Sequence, residues 1–137
     1  MSDKFEYKIT IREFHLDTFG HVNNATYLQI YEEARWELIT SNGYGLKEIQ
    51  KAGKGPIILA ADIKFLKELK LREEITVTTE SVSYEGKILM LKQEVLKADG
   101  TVANSMMMTA ALFDTRERKL IPPTPEWLKA VGLNAAK

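Results

Sequence analysis

The run HLDTFGHVNN, residues 15 to 24, gathers the chain's two histidines, an aspartate between them and two asparagines. These residue types support three kinds of chemistry. His15, Asp17 and His21 are each acceptable ligands for zinc or iron, although all three come from one loop and no cysteine exists to join them. In a purely structural reading, Asp17 accepts backbone N–H bonds in a turn made by Gly20, and Asn23 or Asn24 caps a following helix. In a catalytic reading, the carboxylate at 17 stands seven residues before a helix start at 24 and faces it across the Gly20 turn. The free backbone N–H groups and positive dipole end of that helix would form an oxyanion hole. A base opposite such a hole suits attack by water on a reactive acyl carbonyl, an ester or a thioester.

Other nucleophiles and phosphate cradles are missing. The sequence has no G-x-S-x-G elbow and no cysteine. Neither G-x-G-x-x-G nor a Walker pattern occurs among its glycines.

The elements that must hold this loop are legible on either side of it. Phe5, Tyr7, Ile9 and Ile11 alternate with charged and polar residues, the period of a strand with one buried face. From Asn24 onward Tyr27, Leu28, Tyr31, Ala34 and Leu38 recur at three and four, which predicts a helix of four to five turns stopped by SNGYG at 41 to 45. Trp36 and Ala25 fall opposite that stripe, so the helix is expected to bury more than one side. Leu46 to Ala52 can form a short helix. Strands are expected near Ile57 to Leu66, Glu74 to Tyr84, Lys87 to Ala98 and Thr101 to Asp114, with turns at Glu85-Gly86 and Asp99-Gly100 making a meander. Met106, Met107 and Met108 read as adaptable packing. Pro122, Pro123 and Pro125 end the sheet, and Thr124 can cap a terminal helix.

The expected architecture is α+β, a five-stranded antiparallel sheet wrapped around one long central helix, with residues 1–137 as a single domain. One helix cannot cover both faces of such a sheet, so a second copy, paired edge to edge, is expected. Nineteen basic residues balance nineteen acidic ones, which gives no global field for nucleic acid or an anionic membrane. The absence of cysteine fits a reducing compartment. MSDKFEYKIT alternates charged and apolar residues where a secretion signal needs a continuous apolar stretch, and no segment approaches a membrane span. A soluble cytoplasmic protein without membrane or nucleic-acid partners is the expectation.

The run HLDTFGHVNNATYLQIYEEARW, residues 15 to 36, resembles the active-site loop and helix of hotdog-fold acyl-CoA thioesterases of the 4-hydroxybenzoyl-CoA thioesterase group. The matching positions are Asp17, Gly20, His21, Val22, Asn23, Asn24, Tyr27, Glu33 and Arg35. HLD, HVNNA, YL and EEARW are most similar to the long-chain acyl-CoA thioesterase III type, and DIKFLKELKLREEITVTT, 62 to 79, is similar to the family's second and third strands. His15 stands where many members have a second acid, which leaves the substrate class open. Glu68 and Arg72-Glu73 replace the common Pro and Gly-Asp at a turn.

The resemblance implies hydrolysis of fatty acyl-CoA of medium to long chain, by a homodimer or a dimer-of-dimers tetramer whose active sites lie between subunits. No cofactor is implied, since coenzyme A belongs to the substrate. Asp17 would be general base or nucleophile, and the N–H of Asn24 would hold the thioester oxygen. His21 would orient the loop or a water, unless its role is a structural hydrogen bond. Glu33 is a helix-borne alternative base. Tyr27 and Tyr31 belong to the core or line an acyl channel. Lys64, Lys67, Lys70 and Arg72 form a basic strip that either meets coenzyme A phosphates or guards a strand edge. Acyl-ACP and aryl-CoA thioesterases, and a non-catalytic acyl-binding module of the same fold, are the rival expectations.

Overall fold

The computed structural model describes residues 3–133. Strand β1 (Phe5–Thr10) leads through a 3₁₀ turn at Glu13–His15 and the HLDTFGHVNN loop into helix α1 (Asn24–Ser41). Then follow α2 (Leu46–Ala52), β2 (Lys54–Phe65), β3 (Glu74–Glu85), β4 (Ile88–Leu96), β5 (Val102–Asp114), β6 (Lys119–Ile121) and α3 (Pro125–Ala130). All strand pairs are antiparallel in one sheet of order β1-β3-β4-β5-β2, with β6 paired to β5.

The sheet thus has six strands rather than five. The sixth was hidden because three residues are too short to show alternation. It is turned back by Asp114, whose Oδ1 accepts from the N–H groups of Arg116 and Glu117 at 2.9 Å each, and by Arg118 at φ 58°. The expected meander also needs correction, because it covers only β3, β4 and β5. Strand β2 instead pairs with β5, and the chain crosses from one side of the sheet to the other through residues 66–73. That crossing is anchored at both ends. The N–H groups of Leu66 and Lys67 donate to Ala103 O, while Arg72 N donates to Ile11 O and Ile11 N to Glu73 O. Between the anchors Leu69 is fully buried, which fixes the segment against the core. Leu69→Ala is expected to cost about 2–5 kcal/mol, read as a lower urea midpoint. A midpoint within error of wild type would show that the crossing contributes little.

The helical stripe on α1 buries Tyr27, Ile30, Tyr31, Ala34, Leu38 and Ile39, whereas Leu28 is exposed. Trp36 is half-buried against the core, and Ala25 is exposed. The main contacts of α1 are with β3, β1 and α3. Below it Leu89, Leu91 and Val95 of β4 and Met106, Met108, Ala110 and Leu112 of β5 form the floor. Met107, between its buried neighbours, points to the half-exposed outer face, so the methionines keep the strand alternation.

Polar groups in this core fix where the helix sits. Tyr31 donates from its hydroxyl to Asn104 Oδ1 at 2.6 Å. Fully buried Gln93 donates from Nε2 to Tyr31 O at 3.1 Å and to Thr79 Oγ1 at 2.9 Å, and its Oε1 accepts from Arg35 Nη1 at 2.9 Å. A buried amide left unpaired costs about 1–3 kcal/mol, so rotating or sliding α1 is opposed by several such penalties. The start of α1 is thereby held in place.

Candidate active site

The loop before α1 closes on itself. Leu16 and Val22 form a β-bridge, Asp17 N donates to His21 O at 2.8 Å, and Gly20 N donates to Asp17 O at 3.1 Å. Gly20 has φ +81°, a conformation that L side chains rarely adopt, so this turn requires glycine. Asp17 Oδ1 accepts from Phe19 N at 2.9 Å and from His21 N at 3.3 Å. The structural and catalytic readings of Asp17 are therefore compatible. One carboxylate oxygen orders the turn, and Oδ2 has no hydrogen-bond partner among the described residues.

Asn23 is the N-cap, and its Oδ1 accepts from Ala25 N at 2.8 Å. Asn24 is the first helical residue, and its own Oδ1 also reaches Ala25 N at 2.9 Å. Thr26 N donates to Asn23 O. With those amides taken, the N–H of Asn24 is left without a partner among the described residues. Asn24 also lines a cavity of about 240 Å³ with Val22, Tyr27, Phe65, Leu66, Lys67 and Glu68. The residue that carries this free helix-start donor thus lines a space large enough for a reacting group.

Two contacts frame this space. His21 Nε2 lies 2.9 Å from Glu68 Oε2, tying the loop to the 66–73 crossing. The Tyr27 ring meets Phe65 edge-on with centroids 5.5 Å apart. Burial raises the pKa of the Tyr27 hydroxyl, and the negative charges of Glu73 and Glu68 add to that. Phe65 and Leu66 were not singled out from sequence, and Glu68 was read there only as a turn residue. Their one signal is Phe65-Leu66, adjacent large apolar residues at a strand end where alternation would allow only one inward.

The remaining candidates lie elsewhere. Asp17 is not among the residues lining the 240 Å³ cavity; it stands in the loop just before it. Glu33 follows Asn24 by nine residues, two and a half turns, and so lies on the opposite side of α1. There its Oε2 accepts from the Tyr7 hydroxyl of β1, and that bond, with burial, pushes the Tyr7 hydroxyl up to about 12. Of the basic strip, Lys64 is exposed and pairs with Asp62 at 3.3 Å, and Arg72 pairs with Glu13. Lys67 reaches the cavity and has no ion-pair partner among the described residues. No group of three His, Cys, Asp or Glu side chains among the described residues is spaced to hold a metal ion.

A family model described as the thioesterase-like superfamily matches residues 11–131. The chain belongs to that superfamily. It is a thioester hydrolase, and the matched span runs from the end of β1 to the end of α3, including the loop and the helix start. It is 28% identical over 115 residues to the long-chain acyl-CoA thioesterase FadM of Escherichia coli, covering 83% of this chain and 86% of that one. A chloroplastic acyl-acyl carrier protein thioesterase of Arabidopsis thaliana is 32% identical over 77 residues, 56% of this chain and 40% of that one. A hypothetical protein of Staphylococcus aureus solved in complex with CoA superposes with a TM-score of 0.87 at 23% identity, covering 96% of this chain and 83% of that chain. The architecture is the hotdog thioesterase fold. No helix among the described residues is long and apolar enough to cross a membrane.

In this thioesterase His15 makes a pH-sensitive joint beside the loop. Its Nδ1 accepts from Arg12 N at 2.9 Å, so that nitrogen must stay unprotonated. Burial lowers the pKa of the imidazole below its ordinary 6.5, opposed by the charge of Glu33 and aided by that of Arg12. The unfolded chain therefore binds the proton more readily than the folded one, and stability is lost as pH falls below the ordinary imidazole value. The thermal midpoint of wild type is expected to fall more than that of His15→Asn between roughly pH 7 and pH 5.5. Parallel falls would show that His15 is not the group responsible.

Proposed function

We propose that this thioesterase hydrolyses medium- to long-chain fatty acyl-CoA to free fatty acid and coenzyme A. The unpartnered N–H of Asn24, a residue that lines the cavity with Phe65 and Lys67, carries this reading. It is the donor a thioester oxygen needs when its charge develops.

The carbonyl oxygen accepts from Asn24 N–H, and water attacks the carbonyl carbon while Asp17 takes its proton. Collapse of the tetrahedral intermediate breaks the carbon–sulfur bond, and the proton passes from Asp17 to the leaving thiolate. His21 acts through Glu68, holding the loop against the 66–73 crossing. Lys67, which lines the cavity, is the cation this reading assigns to a coenzyme A phosphate, ahead of the Asp62-paired Lys64. Long strand β2 is an open sheet edge with Ile58 and Leu59 exposed, which supports pairing with a second copy in a homodimer or a tetramer of two dimers.

The test is thiol release from acyl-CoAs graded from short to long aliphatic and aromatic, beside the same acyl groups on acyl carrier protein. kcat/KM is expected to peak at the longer aliphatic CoA esters. A peak on the aromatic esters, or on the carrier-protein esters, would replace the substrate assignment.

A further inference from the structure

A second cavity, of about 130 Å³, lies between the C-terminal half of α1 and β2, beside α3. An engineered apolar cavity of about 150 Å³ binds benzene, so this space takes roughly half a dozen non-hydrogen atoms. Its walls are mostly apolar, with Trp36, Ile39, Ile58 and Leu91 among them, yet two charged side chains, Glu32 and Arg35, also line it. Arg35 is half-buried and anchored by one N–H to the oxygen of fully buried Gln93. Its other four N–H groups have no partner among the described residues. Glu32, three residues earlier, is exposed and forms no ion pair with it.

A plain methyl end pushed into this space strips water from the half-buried guanidinium and returns nothing. A carboxylate end gains Arg35 but meets the repulsion of Glu32, and an ammonium end gains Glu32 but meets that of Arg35. A hydroxyl satisfies both, accepting from the guanidinium and donating to the carboxylate. The axial offset of Glu32 and Arg35 from Asn24 is set by the helix. Asn24, Leu28, Glu32 and Arg35 follow i+3 and i+4 spacing down one side of α1. Glu32 and Arg35 stand eight and eleven residues past Asn24, about 12 and 16 Å at the helical rise of about 1.5 Å per residue. An extended hydrocarbon chain advances about 1.3 Å per bond, so the span is roughly nine to thirteen bonds. Resting on the reading of Asn24 as oxyanion donor, we infer that the acyl group this site takes carries a hydroxyl near its far end, held by Arg35 as donor and Glu32 as acceptor.

Binding separates this inference from the catalytic reading. The S-(ω-hydroxydodecyl) and S-dodecyl thioethers of CoA cannot be hydrolysed, and their binding is followed by tryptophan fluorescence, since Trp36 lines the cavity. The hydroxylated analogue is expected to bind wild type about tenfold tighter or more. Arg35→Met and Glu32→Ala should each bring that advantage below about threefold. Glu32 is exposed, so its variant should melt with wild type and stands as the deciding one if Arg35→Met does not fold. Equal binding of the two analogues to wild type, or an advantage kept in Glu32→Ala, would overturn the inference. Turnover of dodecanoyl-CoA reports separately on the catalytic site: hydrolysis without discrimination rejects the hydroxyl alone.

Discussion

Asp17→Asn is expected to lower kcat for thioester hydrolysis by about 10²–10⁴, the usual contribution of a positioned base. Asparagine keeps an Oδ1 that accepts from Phe19 N and His21 N, so the turn persists while the proton acceptor is lost. The thermal midpoint should therefore hold as kcat drops, which separates a chemical role from the turn-ordering one. A variant keeping more than roughly a tenth of the wild-type rate would place the base elsewhere. Glu33 would then be tested next, although it lies across α1 from Asn24 and is engaged by Tyr7.

Asn24→Pro is expected to cost about 10²–10³ in kcat with the fold intact, because it deletes one N–H and a side chain whose one bond, from Ala25 N, Asn23 also accepts. Proline suits the first helical position, where its fixed φ fits and its missing N–H has no intrahelical partner. The preceding residue must be extended, and Asn23 already is, at φ −65° and ψ 144°. The Ala25 amide keeps Asn23 Oδ1, so the cap survives. Circular dichroism and thermal melting check the fold, and thiol release checks the rate. A folded variant with an undiminished rate would remove Asn24 from the oxyanion hole. By contrast, Asn24→Ala retains the N–H and should keep kcat near wild type.

Both variants depend on detail that sequence only partly exposes. The helix from Asn24, its cap at Asn23 or Asn24, the turns at Gly86 and Gly100 and the Thr124 cap were legible because each follows a local rule of spacing or side-chain chemistry. The pairing of β2 with β5 was not, because it is decided by the 66–73 crossing and buried Leu69, contacts between residues far apart in the chain. Asp17 and Asn24 could be picked out by type and spacing. That Asn24 alone of the first three helical amides lacks a partner depends on where the Asn23 side chain turns. Glu33 shares the same motif on paper, and two and a half helical turns put it on the other side of α1 from Asn24. Gln93 and Asn104 carried no signal, since a polar residue at an inward strand position reads as an exception until its partners are seen.

The most direct test is single-turnover and steady-state thiol release from a long-chain acyl-CoA by the wild-type chain. Multiple turnovers, each releasing one thiol and one free fatty acid, are the predicted result. Saturable binding of the acyl-CoA with no thiol released would contradict hydrolysis at the Asn24 cavity.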